Sequence, residues 1–208
     1  MKGSFRNPLA RFGPWLLVVA ALAALVATAA AVLDPSIARP GTVSYAYSGV
    51  VMTLVDFLVM AGVVGLWFTR AAGGGPLKLA GFVLLVSGSA GIVVAEPLLR
   101  VSFALGNSVF GVVGPVQALG FILVGIAIIR GGLWRSWRRF AMLLLGLYVP
   151  FLMVPLLIAS GGSNLGALAG YHIGVLLTGM AWLIESQGGA LKPARRLGRT
   201  TAKREELV

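Results

Sequence analysis

The chain has no cysteine, a single histidine (His172), and charge on only 11% of its 208 residues. Without thiols there is no disulfide, no thiolate nucleophile, no zinc cluster and no iron–sulfur centre. One imidazole cannot supply bis-histidine haem ligation, so neither a cofactor nor a metal is expected. The scarcity of charge excludes an ordinary soluble domain, in which about a quarter of residues are charged. A hydrophobic share of 58% excludes disorder in turn. What the chain has instead is 29 glycines and a mean hydropathy of +0.95, which is the composition of an integral membrane protein.

A span needs about 20 mostly apolar residues to cross the hydrocarbon core. Six stretches meet that requirement, roughly 14–33, 47–69, 79–95, 103–129, 140–160 and 165–184. Barrel strands would alternate polar and apolar residues, and these runs do not, so helix is the expectation. The predicted fold is all-α, a polytopic bundle of six helices within 1–185. A basic tail over 186–208 is expected to be disordered. The first run, with Ala27, Thr28 and Ala29, also looks like a secretory signal. It continues to Leu33 and is read as an uncleaved span; cleavage would leave five helices.

Seventeen basic residues give a net charge of +11. They cluster at alternate loops: Lys2, Arg6 and Arg11, then Arg70 and Lys78, then Arg130, Arg135, Arg138 and Arg139, then six in the tail. Arg39 and Arg100 alone fall on the other side. Lys and Arg are enriched in cytoplasmic loops, so both termini are predicted to be cytoplasmic, in the inner membrane. All five tryptophans, Trp15, Trp67, Trp134, Trp137 and Trp182, fall at the same boundary, where an indole ring prefers to sit. The expected partners are the bilayer itself and anionic lipids of the inner leaflet. A membrane-protein partner or a homo-oligomer is left open, and nucleic acid is not expected because the cations flank spans.

Between spans, 34–46 carries Pro35 and Pro40 and is expected to be a stiff, extended cover. Gly73, Gly74 and Gly75 predict a flexible turn; the ending of a phosphate-binding loop is missing. Breaks are expected near Gly114 and Pro115 and at Pro150 and Pro155. Helices in lipid associate where small residues let backbones approach, and Gly166, Gly170 and Gly174 form such a seam, as do Ala20, Ala23, Ala24, Ala27 and Ala31.

Ionisable groups deep in a membrane are costly and point to function. Asp56 lies 14 residues before Arg70, about 21 Å along a helix. His172 lies 13 residues before Glu185 and Gln117 13 before Arg130, each about 20 Å at the same rise. The three therefore share one layer, on helices that run in the same direction. Asp56 is expected to accept a hydrogen bond from the histidine ring, with Thr53 a further donor. Two readings stand: a proton or ligand site, or a polar clamp that holds helix register. Glu96 and Arg100, four apart with Pro97 between, are expected to pair at the surface across a turn.

Residues Gly106, Asn107, Ser108, Val109, Phe110 and Gly111, with Tyr171, His172, Ile173 and Gly179, resemble the nucleophile segment and sixth helix of rhomboid intramembrane proteases. That resemblance implies Ser108 as nucleophile and His172 as its base. The glycine after the serine and the second-helix oxyanion motif of that family are missing. Ala20 and Ala24 resemble the coupling motif of energy-coupling-factor substrate-capture subunits, which implies a polar vitamin pocket at Asn107, Tyr45, Tyr47 and Arg100. Over most of its length, and in the run from Gly120 through Gly131, Gly132, Trp134, Arg135 and Trp137, the chain resembles uncharacterised six-helix membrane proteins of high-GC bacteria. The combined expectation is a small carrier or membrane-complex subunit whose polar layer takes a small solute or proton, with intramembrane serine proteolysis as the alternative.

Overall fold

The structure, a computed structural model, describes residues 7–69, 71–132, 134–160 and 164–190, without the side chains of residues 38 and 188–190. Lys2, Arg6, Arg70 and the tail cations from Lys192 onward lie outside the described residues.

Four of the helices start where the sequence supplies a side-chain cap, at Asn7, Thr42, Ser102 and Asn164. Helix α1 (Pro8–Leu33) has proline in its first turn and the Asn7 side chain accepting from the Leu9 amide at 2.9 Å. Helix α2 (Val43–Trp67) is capped by Thr42, whose hydroxyl accepts from the Tyr45 amide at 3.1 Å. Helix α3 (Pro76–Val101) follows Gly75, whose φ of 101° only glycine adopts freely. One residue, Ser102, separates it from α4 (Phe103–Gly131), which ends at Gly132 in the left-handed conformation. A 3₁₀ turn (Ser136–Phe140) leads into α5 (Ala141–Tyr148), a π turn (Val149–Met153) and α6 (Val154–Ala159). These make one crossing. Helix α7 (Leu165–Ala190) completes the set. Among the described residues, six helical segments are long and apolar enough to cross a membrane, so this is a multi-pass membrane protein.

Three local expectations need correction. Residues 34–46 are not extended: Pro35–Ala38 forms a 3₁₀ turn, held by the Asp34 carboxylate accepting from the Ser36 amide at 3.0 Å. Helix α3 runs through Pro97, and α4 through Gly114 and Pro115, without a break. Each such proline forfeits one ladder bond, and neighbouring helices tolerate that loss in a bundle. At Pro150 the chain responds differently, widening into the π turn that accommodates the missing donor.

Successive helices pack on one another, and α7 returns to pack on α1, so the six crossings close a ring. Its interior is filled by Val55, Val63, Leu85, Phe121, Val124 and Val175, all essentially inaccessible. Lipid offers apolar side chains no less than protein does, so the ring is held by close packing rather than by escape from water. The closest seam joins α3 and α4. A methyl group on Gly88 would lie 2.5 Å from the Gln117 amide nitrogen, and Gly106 and Gly120 meet the Leu99 and Leu85 backbones as tightly. Gly170 and Gly174 receive the Tyr148 and Leu145 side chains of α5, whereas Gly166 meets only the Asn164 cap. Ala20, Ala21 and Ala24 are fully buried.

At the basic end, Trp15, Trp67 and Trp137 are substantially exposed, as interfacial rings should be. Trp134 and Trp182 are not: both are buried, with the Trp182 ring against Gly13 of α1. Those two rings pack the bundle end. There too Glu185 of α7 accepts from the Arg135 amide at 2.6 Å and pairs with Arg138 at 3.1 Å.

Candidate functional site

Because Gly88 lets α3 and α4 touch at Gln117, the glutamine side chain is held inside the ring, 4% exposed. Its amide donates to the Ser89 hydroxyl of α3 at 3.0 Å and its carbonyl accepts from the Tyr171 hydroxyl of α7 at 3.2 Å. Helices that do not adjoin in the ring, α4 and α7, are thereby linked across it. The chain Ser89, Gln117, Tyr171 is buried throughout, and a fully satisfied network of this kind fixes register.

His172 follows Tyr171, the two rings set edge to face with centroids 5.3 Å apart. It is 2% exposed, and among the described residues no side chain partners its Nδ1; the Leu168 carbonyl one turn back is the acceptor within its reach. Seven residues on, Gly179 shares its face of α7 and sits against Pro14, Leu17 and Val18 of α1. His172 therefore projects toward the α1 side while Gly170 and Gly174 face α5, so α7 is packed on both sides. The expected hydrogen bond between His172 and Asp56 is not formed. Nor does Thr53 serve Asp56, since its hydroxyl donates to the Gly49 carbonyl of its own helix at 2.8 Å. Of the three residues the sequence placed in one layer, only Gln117 joins a network, and its partners, Ser89 and Tyr171, were not assigned to that layer.

A second polar group lies between α2 and α3, toward the Asp34 end. Glu96 pairs with Arg100 at 2.5 Å within one continuous helix. The surface pair expected there is in fact largely enclosed, with Glu96 7% exposed. Proline at 97 leaves the i, i+4 geometry intact, because the helix only loses a donor there. The Arg100 guanidinium stacks on the Tyr45 ring at 4.1 Å, and its Nε is buried against Gly49 with no hydrogen-bond partner among the described residues. Gly49 thus marks the face of α2 turned to Arg100. Asp56, two turns further along, falls on that same face and is half-buried. Ser89, Glu96 and Arg100 are spaced seven and four apart, a periodicity that could have revealed this stripe in the sequence.

The remaining candidates do not assemble. Ser108 is exposed and donates to the Ala104 carbonyl at 2.8 Å. It lies nine residues from Gln117, half a revolution around α4, so it faces away from the ring in which His172 is buried. A serine–histidine pair is not formed. Tyr45 and Arg100 meet, whereas Asn107 and Tyr47 are exposed apart from them. No group of three or more metal-ligating side chains occurs among the described residues. No family model, curated protein or solved structure matches the chain.

Proposed function

We propose that the protein is a small carrier, or the membrane subunit of a larger one, in the cytoplasmic membrane with its basic end inside, and that its central polar layer takes a small solute or proton. The observation that carries this reading is the His172 ring, almost wholly enclosed among the helices and, among the described residues, with no side-chain partner at Nδ1. A clamp whose only purpose is register would satisfy its atoms, as Ser89, Gln117 and Tyr171 do. A histidine left with spare hydrogen-bonding capacity beside that satisfied network has the chemistry to receive a proton or a polar solute group. The positive-inside distribution of Arg11, Lys78, Arg130, Arg135, Arg138 and Arg139 supports the orientation.

The test is flux in proteoliposomes with a trapped pH-sensitive dye. Vesicles holding the wild-type chain should relax an imposed pH gradient faster than vesicles holding His172→Phe. Equal relaxation in wild-type, His172→Phe and protein-free vesicles, with each variant shown to be folded by circular dichroism, removes the proton-carrier form of the reading.

A further inference from the structure

A cleft runs between α1 and α2 on the outer surface of the ring, and its limits follow from where the two helices touch. Toward the basic end they meet at backbone level, Gly13 against the Gly62 carbonyl and Gly65 against the Leu9 carbonyl. Toward the other end the Pro35–Ala38 turn contacts both helices and roofs the gap, tied to α2 by the Ser48 hydroxyl donating to the Ile37 carbonyl at 3.3 Å. The space left has a volume of about 810 Å³, within the range of about 300–1,000 Å³ for small-molecule sites. Ala23, Ala27 and Ala30, on one face of α1, give it depth, and the exposed Val19, Leu22 and Val26 flank them. Every polar residue that lines it, Asp34, Ser44, Tyr47 and Ser48, lies at the roofed end.

Length and charge select the occupant. From Val19 to Ala30 is 11 residues, about 17 Å of helix, and the hydrocarbon of one leaflet is about 15 Å, half of the whole core. A helix of another chain needs a groove through both leaflets, whereas an acyl chain needs only one. Asp34 is exposed and joins no ion pair among the described residues. The Ser36 hydroxyl and amide hold its carboxyl below the ordinary value, so it is ionised at neutral pH and keeps acceptor capacity beyond its bond to the Ser36 amide. It repels an acidic headgroup and attracts an ammonium. The Ser44 and Tyr47 hydroxyls are donors suited to a phosphodiester. We propose that the cleft holds one phosphatidylethanolamine molecule of the leaflet at the Asp34 end, an acyl chain along Ala23, Ala27 and Ala30 and the ammonium donating to Asp34. This site is separate from the central polar layer, and either reading can fail without the other.

Native mass spectrometry of the full-length chain, stripped of lipid in detergent, tests it with dioleoyl phosphatidylethanolamine and dioleoyl phosphatidylglycerol as probes. An exposed ion pair is worth up to about 1 kcal/mol, so the wild-type chain should bind one ethanolamine lipid about fivefold more tightly than the glycerol lipid. Asp34→Asn keeps the cap acceptor and should erase that preference. Ala27→Leu fills the cleft and should weaken retention of both lipids, with folding of each variant checked by circular dichroism. Equal binding of the two lipids by the wild-type chain overturns the proposal, as does a preference that survives in Asp34→Asn or unchanged retention in a folded Ala27→Leu variant. Recovery of a lipid-free dimer that Ala27→Leu dissociates would place a second copy in the cleft and overturn it as well.

Discussion

Adding one methyl group at Gly88 probes both the packing of the bundle and the network built on it. An ideal Cβ there lies 2.5 Å from the Gln117 amide nitrogen, against 3.4–4 Å for ordinary contact. The obstruction is backbone, so no rotamer change relieves it and α3 and α4 must separate by about 1 Å. Overpacking of this kind costs about 1–3 kcal/mol. The same displacement stretches the Gln117 to Ser89 hydrogen bond, now 3.0 Å, beyond useful range, which adds about 0.6 kcal/mol in a membrane bundle. Gly111 is the control, because nothing lies within 4 Å of its added Cβ. There the better helix propensity of alanine acts alone and is worth up to about 1 kcal/mol. Gly88→Ala and Gly111→Ala should therefore differ by about 2–4 kcal/mol, with opposite signs relative to wild type. Titration from mild detergent into dodecyl sulfate, followed by circular dichroism and by fluorescence of the buried Trp134 and Trp182, measures the difference. Coincident unfolding midpoints for the two variants would refute the close α3–α4 seam.

Two further outcomes follow from the local geometry. Ser108→Ala should leave stability and any flux unchanged, and the wild-type chain should not react with a fluorophosphonate probe, since the Ser108 hydroxyl is bonded to Ala104 on the face turned from His172; Ser108-dependent labelling would restore the protease reading. The Ser36 hydroxyl and amide hold the Asp34 carboxyl below its ordinary value of 3.8. A lowered folded-state value contributes stability at higher pH and loses it as pH falls through that value, so Asp34→Asn, which keeps an acceptor for the cap, should flatten the acid limb of the unfolding midpoint, whereas parallel pH curves for the two proteins would show the cap charge to be irrelevant.

The number of crossings and their approximate limits were legible in the chain, because hydrocarbon thickness dictates the length of an apolar run and imposes helix on it. The caps at Asn7, Thr42 and Asn164 likewise depend on residues within three positions. The depth of Gln117 and His172 was also calculable, since helix rise converts residue number into height. Azimuth was not. The direction in which Asp56 or His172 points depends on how each rod is rotated and which rods adjoin, and that is set by what packs against Gly49, Gly88 and Gly179. The closure of the ring by α7 against α1, the enclosure of Glu96, the burial of Trp134 and Trp182, and the selection of Tyr171 as the partner of Gln117 are all consequences of those contacts. Local sequence determines height along a helix because rise per residue is constant; only packing between helices decides direction around it, because that choice is made by surfaces far apart in the chain.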